Sequence, residues 1–251
     1  MAPVVVPAAA SAANVQIGVT KTPLVAPTCP ADAQGVKCTI LLTQVTAYET
    51  LGDGVANPDT IKQSGVISSF TLGLTGTNLI TPAILAAKDQ AYGGPPEAQL
   101  TALIPTGTAA SPSYRVVAQS EIVKLRSELG QVAEFPLTTP LPVVRGEVLA
   151  LTIPTWAPVL AIEQTPTQFA YAQSRAKSFE TVKVATKTGT KTERASSCST
   201  SSTVNLAQIV VGELSNYTCT YPGSRIEYSA LEITTPSGYN GETRKRAAAK
   251  R

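Results

Sequence analysis

The chain has 251 residues, of which 43% are hydrophobic and 15% charged, with a formal net charge of +3. A chain of this length can bury a sizeable core, and a single all-β domain of this size is ordinary. The small charge balance argues against nucleic acid or an acidic membrane as partner, and no segment is long enough to span a bilayer as a helix.

Residues 1–14 have the composition of the end of a secretory leader. Val4–Val6 are apolar, and Ala10-Ser11-Ala12 is an A-x-A cleavage pattern with the cut before Ala13. The basic region that normally precedes such a stretch is missing, so Met1 would lie inside a longer leader or be an added residue. The alternative is a disordered Ala/Pro-rich extension. The first interpretation predicts a secreted or cell-surface protein.

Four cysteines agree with export, because disulfides form in oxidising compartments. Separation along the chain favours Cys29–Cys38 and Cys198–Cys219, the second closing the ends of a predicted hairpin. Each bond would stabilise the fold by about 2–4 kcal/mol. A zinc site is the alternative, but it needs clustered Cys or His, and the chain contains no histidine.

Alternating apolar residues predict at least ten strands, with turn residues every 8–12 positions. The expected strands are 15–19, 38–49, 65–74, 98–104, 114–119, 122–125, 147–153, 168–174, 204–211, 214–221 and 225–234. In 65–74 we expect Ile67, Phe70 and Leu72 to reach the core. Residues 78–94 allow one short helix ending at Gly93, and residues 183–203 are interpreted as a polar, mobile excursion.

The stretch 131–162 organises the predicted fold. Leu149, Leu151 and Ile153 share one face of a strand whose other face is also apolar, which is typical of the centre of a sheet. The prolines of this stretch are expected to mark where strand pairing stops; they are Pro140, Pro142, Pro154 and Pro158. The predicted fold is a single all-β, jelly-roll-like sandwich over residues 15–236, followed by a basic disordered tail, 237–251.

Several blocks of sequence resemble an uncharacterised family of secreted bacterial β-sandwich proteins. They include SGVISSFTLGL, GGPPEAQLTALIP, LGQVAEFPL, GEVLALTIPTWAPVL and YPGSRIEYSALEITTP, and the resemblance covers roughly residues 38–236. It implies a jelly-roll-like fold and a location outside the cytoplasm. It carries over no catalytic or binding residue.

Without histidine, neither a Ser-His-Asp triad nor a His-ligated metal centre can form. A glycoside hydrolase needs only two carboxylates, and the candidates lie on or beside predicted strands: Glu134, Glu147, Glu227 and Glu232. Solvated glutamates at strand ends are the plainer interpretation. The leading hypothesis is therefore a non-enzymatic module that is structural or binds a glycan or cell-envelope polymer. The alternatives are a carboxylate-pair hydrolase and a self-assembling extracellular subunit.

Two groups of residues are candidates for ligand contact. Asp53, Asn57 and Asp59 could supply oxygen ligands to a structural Ca²⁺, although Asx turns explain the same residues, and no other cofactor is expected. Trp156, the only tryptophan, could stack on a sugar but is expected to plug the end of the core. Tyr217 and Tyr221 would share a face of one strand and could form an aromatic binding surface.

Overall fold

The structure, a computed structural model, describes residues 12–18, 21–29, 40–76, 80–186, 189–198 and 205–235. Within these ranges there are seventeen strands and one α-helix. The strands form two main sheets and two small two-stranded sheets. The prediction of an all-β sandwich with at most one short helix is confirmed. The predictions for residues 1–11, for Cys38 and for the tail 237–251 lie outside the described residues.

Sheet A has four antiparallel strands. Their order across the sheet is β1 (Asn14–Ile17), β17 (Tyr228–Thr234), β4 (Gly65–Gly73) and β8 (Val132–Val143). The first and last strands of the described domain are therefore neighbours, and Asn14 is paired with Ile233. Beyond that pair, the amide of Thr234 donates to the carbonyl of Ala13 at 2.9 Å. The chain therefore enters and leaves the sandwich at the same end of sheet A.

Sheet B has nine strands, seven of them in one continuous order. That order is β14 (Leu214–Asn216), β6 (Ser113–Gln119), β5 (Glu97–Pro105), β9 (Val148–Ala157), β2 (Leu42–Gly52), β11 (Ala170–Gln173) and β15 (Cys219–Pro222). Two short strands pair with its members: β3 (Val55–Ala56) with β2, and β7 (Val123–Lys124) with β5. As predicted, β9 is central, and Leu149, Leu151 and Ile153 on its inner face are completely buried.

The main core lies between the two sheets. Sheet A contributes Ile67, Phe70 and Leu72, each with no exposed surface, which confirms their predicted role. Residues 67 and 70 would point to opposite faces of a regular strand, but the pairing of β4 with β8 shifts register between Ile67 and Ser69. This bulge adds one residue and returns Phe70 to the core side.

The prediction that proline marks the end of pairing holds at two of its four positions. β9 ends directly before Pro158, and Pro140 lies in a stretch of β8 without partners on β4. Pairing continues at Pro142, and β9 continues through Pro154. β8 runs through Pro136, Pro140 and Pro142 because it is the outer strand of sheet A, where a residue without an N–H needs no partner on its open side. β9 runs through Pro154, where the pairing with β2 shifts register between Thr43 and Val45.

The helix α1 (Pro82–Tyr92) confirms the predicted one. The hydroxyl of Thr81 accepts a hydrogen bond from the amide of Ile84, Pro82 occupies the first turn, and Gly93 closes the helix in the left-handed conformation at φ 80°. These are the start and stop residues that a short helix requires. A 3-10 turn, Arg126–Glu128, follows later in the chain.

The last third of the chain differs from the prediction in its strands. Residues 183–203 were interpreted as a mobile excursion, and most of them belong to a hairpin of β12 (Ser178–Thr186) and β13 (Gly189–Ser197), which no predicted strand included. The expected hairpin of 204–211 and 214–221 does not form. Instead β14 pairs with β6, and β15 pairs with β11. Two further short strands, β10 (Leu160–Ala161) and β16 (Arg225–Ile226), pair with each other.

Candidate binding site

The β12–β13 hairpin stands apart from both main sheets in its pairing. Nine cross-strand pairs join its strands, from Ser178–Ser197 to Thr186–Gly189, and among the described residues neither strand pairs with any other. Nine residues at about 3.3 Å each give a ribbon roughly 30 Å long. An isolated two-stranded hairpin is only marginally stable in water, so its attachment to sheet B decides whether it holds its shape.

A disulfide between Cys198 and Cys219 makes that attachment on one side of the hairpin. Cys198 directly follows β13 and Cys219 begins β15, so the bond fixes the end of the hairpin to the edge of sheet B. On the other side, the amide of Lys177 donates to the Thr218 hydroxyl at 2.7 Å, and the amide of Cys219 donates to the carbonyl of Arg175 at 3.2 Å. The predicted Cys198–Cys219 bond is confirmed, although it does not close the hairpin that was expected.

Cys29 is also disulfide-bonded. Its predicted partner, Cys38, lies outside the described residues.

Two stacked tyrosines lie beside the base of the hairpin. Tyr171 on β11 and Tyr221 on β15 are cross-strand partners, and their rings lie 4.8 Å apart at an angle of 13°. Tyr171 is buried and Tyr221 half-buried, and burial raises the pKa of both phenols. The side-chain amide of Gln173 donates to the Tyr221 hydroxyl at 2.6 Å, and that hydroxyl donates to the backbone carbonyl of Cys198 at 3.4 Å. Tyr221 thus offers part of a ring at the hairpin base.

Tyr217 lies in a different cluster from Tyr221, on the outer face of sheet B. Its ring is 5.5 Å from that of Tyr48 and 5.1 Å from that of Tyr114. The predicted pairing of Tyr217 with Tyr221 on one strand face does not occur, because the chain leaves β14 at Asn216 and enters β15 at Cys219. Tyr217 has no exposed surface, so a ligand cannot contact it in this conformation.

Residues 205–213, the covering segment, lie over this outer face. Near its start, the Leu206 amide donates to the carbonyl of Gln44 on β2. Near its end, the Gly212 amide donates to the carbonyl of Val116 on β6. In between, the Gln208 amide donates to the Thr46 hydroxyl at 2.9 Å. The segment is well anchored, yet Ile209, Val210 and Val211 are about half exposed.

Trp156 is buried, as predicted, near the end of β9 and against α1. It has no exposed surface, and its indole N–H donates to Asp89 Oδ1 of α1 at 3.1 Å. The Asp89 carboxylate also pairs with Arg126. A sugar platform cannot include Trp156 in this arrangement, since both its faces and its polar edge are occupied.

Two shallow depressions are found in the described part of the chain. The larger, about 220 Å³, lies between residues 25–28 and 161–164, and the smaller, about 150 Å³, is lined by residues 104–105 and 145–147. Each has one carboxylate in its lining, Glu163 in the larger and Glu147 in the smaller. Glu163 is exposed and adopts a left-handed conformation at φ 59°, which is uncommon for a residue with a side chain.

The four candidate catalytic carboxylates serve the fold in different ways. Glu134 is exposed and accepts from the Ser69 hydroxyl at 2.6 Å, whereas Glu147 is buried and accepts from the Val144 amide of its own turn at 2.8 Å. Glu227 is buried and accepts from the Val25 amide at 3.0 Å. Glu232 is buried, and burial raises its pKa to about 7.

The candidate calcium residues have separate partners. The Asp53 carboxylate accepts from the amide and the hydroxyl of Thr22, at 2.7 and 2.6 Å. Asp59 is fully buried, and its carboxyl group accepts from the Glu49 amide at 2.6 Å. Asn57 has φ 51°, as an Asx-type turn allows. Within the described ranges no three His, Cys, Asp or Glu side chains are grouped as metal ligands would be.

Sequence reasoning missed two features of this region. The hairpin was overlooked because its Thr, Lys and Ser residues were weighed by polarity, although its Thr and Val content favours strands. Glu49 was overlooked because it ends an apolar strand and looks like a solvated terminus, whereas it is buried and bonded to β16.

Comparison with protein-family models, curated proteins and solved structures found no match to this chain. In the part of the chain that the structure describes, no helix has the length and hydropathy of a membrane span.

Proposed function

We propose that the protein is exported and acts as a non-catalytic binding module, with the β12–β13 hairpin as its binding element. The observation that carries the proposal is the covalent attachment of this self-paired hairpin to the edge of sheet B. The hairpin adds nothing to the pairing of either main sheet. The disulfide, with a separation of 21 residues, fixes the end of β13 to β15, and so it holds the base of the hairpin against the edge of sheet B.

The composition of the hairpin indicates the chemistry of its partner. The sequence 178–197 contains four cations, Lys183, Lys187, Lys191 and Arg194, against two acids, Glu180 and Glu193. A local excess of positive charge attracts polyanions, and the attraction weakens as salt rises. The partner proposed is therefore an anionic cell-envelope polymer, with Tyr221 at the hairpin base as an aromatic contact.

A binding assay on the full chain with intact disulfides tests this proposal. The probes are poly(glycerol phosphate) as the polyanion and dextran as a neutral glycan of similar length. We expect salt-sensitive binding to the first and none to the second. In a shortened variant, residues 180–195 are replaced by Asn-Gly, so that Phe179 and Ser196, which are already paired, join through a tight turn. This variant should lose at least tenfold in affinity.

Two controls make the test specific. Glu163→Gln alters the larger depression without touching the hairpin and should leave binding unchanged. The paired substitution Cys198→Ala with Cys219→Ala keeps the hairpin sequence but frees its base, and should weaken binding less than shortening does. Equal binding by the shortened and parent proteins would refute the hairpin as the site. Release of reducing sugar from a glycan would instead support the carboxylate hydrolase.

A further inference from the structure

A buried group of polar side chains joins sheet A to sheet B through the core. Asp59 follows β3, Glu49 lies on β2, and Tyr228 begins β17. All three are almost completely buried. The Tyr228 hydroxyl contacts both Oδ2 of Asp59 and, at 3.0 Å, the carbonyl oxygen of Leu149 on β9. The group therefore links β2 and the residues after β3 to β17 and β9.

The number of hydrogens decides the charge of Asp59. The Tyr228 hydroxyl has one hydrogen and two oxygen neighbours, and the carbonyl of Leu149 can only accept. If Asp59 is ionised, one of the two contacts lacks a hydrogen. If Asp59 is protonated, its hydroxyl donates to Tyr228 and Tyr228 donates to Leu149, so that each contact has one hydrogen. The geometry fits the neutral acid.

The other oxygen of Asp59 supports the same conclusion. Oδ1 is buried and has no hydrogen-bond donor among the described residues. It lies against Gly18, where an added Cβ would be 3.0 Å from it. A carboxylate oxygen buried without a donor carries a large desolvation penalty, whereas the carbonyl oxygen of a neutral acid tolerates that environment at much lower cost.

Burial, and no neighbouring charge, is the cause that opposes ionisation of Asp59. The titratable groups around Asp59 come from three strands and one loop residue. They are Tyr48 and Glu49 on β2, Arg225 on β16, Glu227 directly before β17, and Tyr228 at the start of β17. Arg225 is committed elsewhere, because its guanidinium donates to the carbonyls of Thr22 and Pro23 and lies 3.7 Å from Glu227. On the side of β9 and the end of β1, the neighbours of Asp59 include the Leu149 amide, which donates to its backbone carbonyl, and Gly18; neither carries a charge. Burial raises the pKa of Asp59 to about 7 and that of Glu49 well above its usual value.

We propose that Asp59 is a proton-dependent latch between the sheets, protonated and donating to Tyr228 in mildly acidic conditions and released by ionisation in mildly alkaline ones. In the folded protein the proton is held more tightly than in the unfolded chain, whose aspartates ionise near pH 4. The contribution of Asp59 to stability is therefore fully present below about pH 4, falls as the pH rises, and is lost above about pH 7.

Two measurements on the full, disulfide-intact chain test the latch. The first is an NMR titration that follows the ¹³C shift of the Asp59 carboxyl carbon against pH. We expect a midpoint near pH 7, and a midpoint near pH 4 would overturn the proposal. This measurement needs no variant. The second compares the unfolding constant at pH 5 and pH 8, from urea denaturation, in the parent and in Asp59→Asn.

Asp59→Asn cannot ionise, so this variant should show about a hundredfold less increase in the unfolding constant between pH 5 and pH 8 than the parent. Glu134→Gln, which removes an exposed carboxylate, is the control and should match the parent. Tyr228→Phe should move the midpoint of the Asp59 titration, since it removes the hydroxyl that accepts a hydrogen bond from the protonated Asp59. An Asp59→Asn variant with the parent's pH dependence, or a parent more stable at pH 8 than at pH 5, would overturn the proposal.

Discussion

Replacing Leu151 by alanine tests the centre of the sandwich. Leu151 is completely buried at the middle of β9, between its cross-strand partners Ala47 on β2 and Leu100 on β5. The substitution removes three carbon atoms, worth about 2.4 kcal/mol of transfer free energy at about 0.8 kcal/mol each. A strand paired on both sides cannot move inward to fill the space, so a cavity term is added, and we expect a loss of about 3–5 kcal/mol.

The assay is urea unfolding with the disulfides intact. For a slope of about 2–3 kcal/mol/M, this loss shifts the midpoint by about 1–2.5 M. Leu214→Ala is the matched control, because it makes the same chemical change at a residue that is 55% exposed on β14. That variant should change stability by under about 0.5 kcal/mol. Equal midpoints for the two variants would show that β9 is not the centre of the core.

Three further predictions concern other parts of the fold. Trp156 should emit at short wavelength and be barely quenched by acrylamide, and full quenching would mean that its cover of α1 is not formed. Gly73→Ala should destabilise the fold by about 1–3 kcal/mol, because a Cβ there would lie 1.9 Å from the carbonyl oxygen of Val25. An unchanged urea midpoint would mean that residues 21–29 do not lie against β4. Glu232→Gln should shrink the difference between the urea midpoints at pH 5 and pH 8. The raised pKa of Glu232 makes the parent lose stability as the pH rises from about 4 to about 7. An undiminished difference would mean that Glu232 ionises normally.

Elements with strong local patterns could be predicted from the sequence. β9 was recognisable because both of its faces are apolar, which only a central, covered strand tolerates. The helix was recognisable because Thr81, Pro82 and Gly93 supply its cap, first turn and end. In both cases the information lies within about ten residues of the element.

Elements defined by distant partners could not be predicted. The run 204–211 is apolar enough for a strand, but it crosses sheet B as a covering segment, and β14 pairs with β6, about a hundred residues earlier in the chain. The roles of the acids were equally hidden, since no local pattern distinguishes the exposed Glu134 from the buried Glu49. Only the meeting of β2, β3 and β17 creates the environment in which Asp59 holds a proton.

The adjacency of β1 and β17 has a mechanical consequence. Because the chain enters and leaves at the same end of sheet A, a pull applied to both flanks would load the Ala13–Thr234 contact first and then each pair in turn, beginning with Asn14–Ile233. Bonds broken one after another resist force far less than bonds sheared together. A tethered molecule would therefore peel away its first strand under slight tension while the covered strand β9 stayed in place.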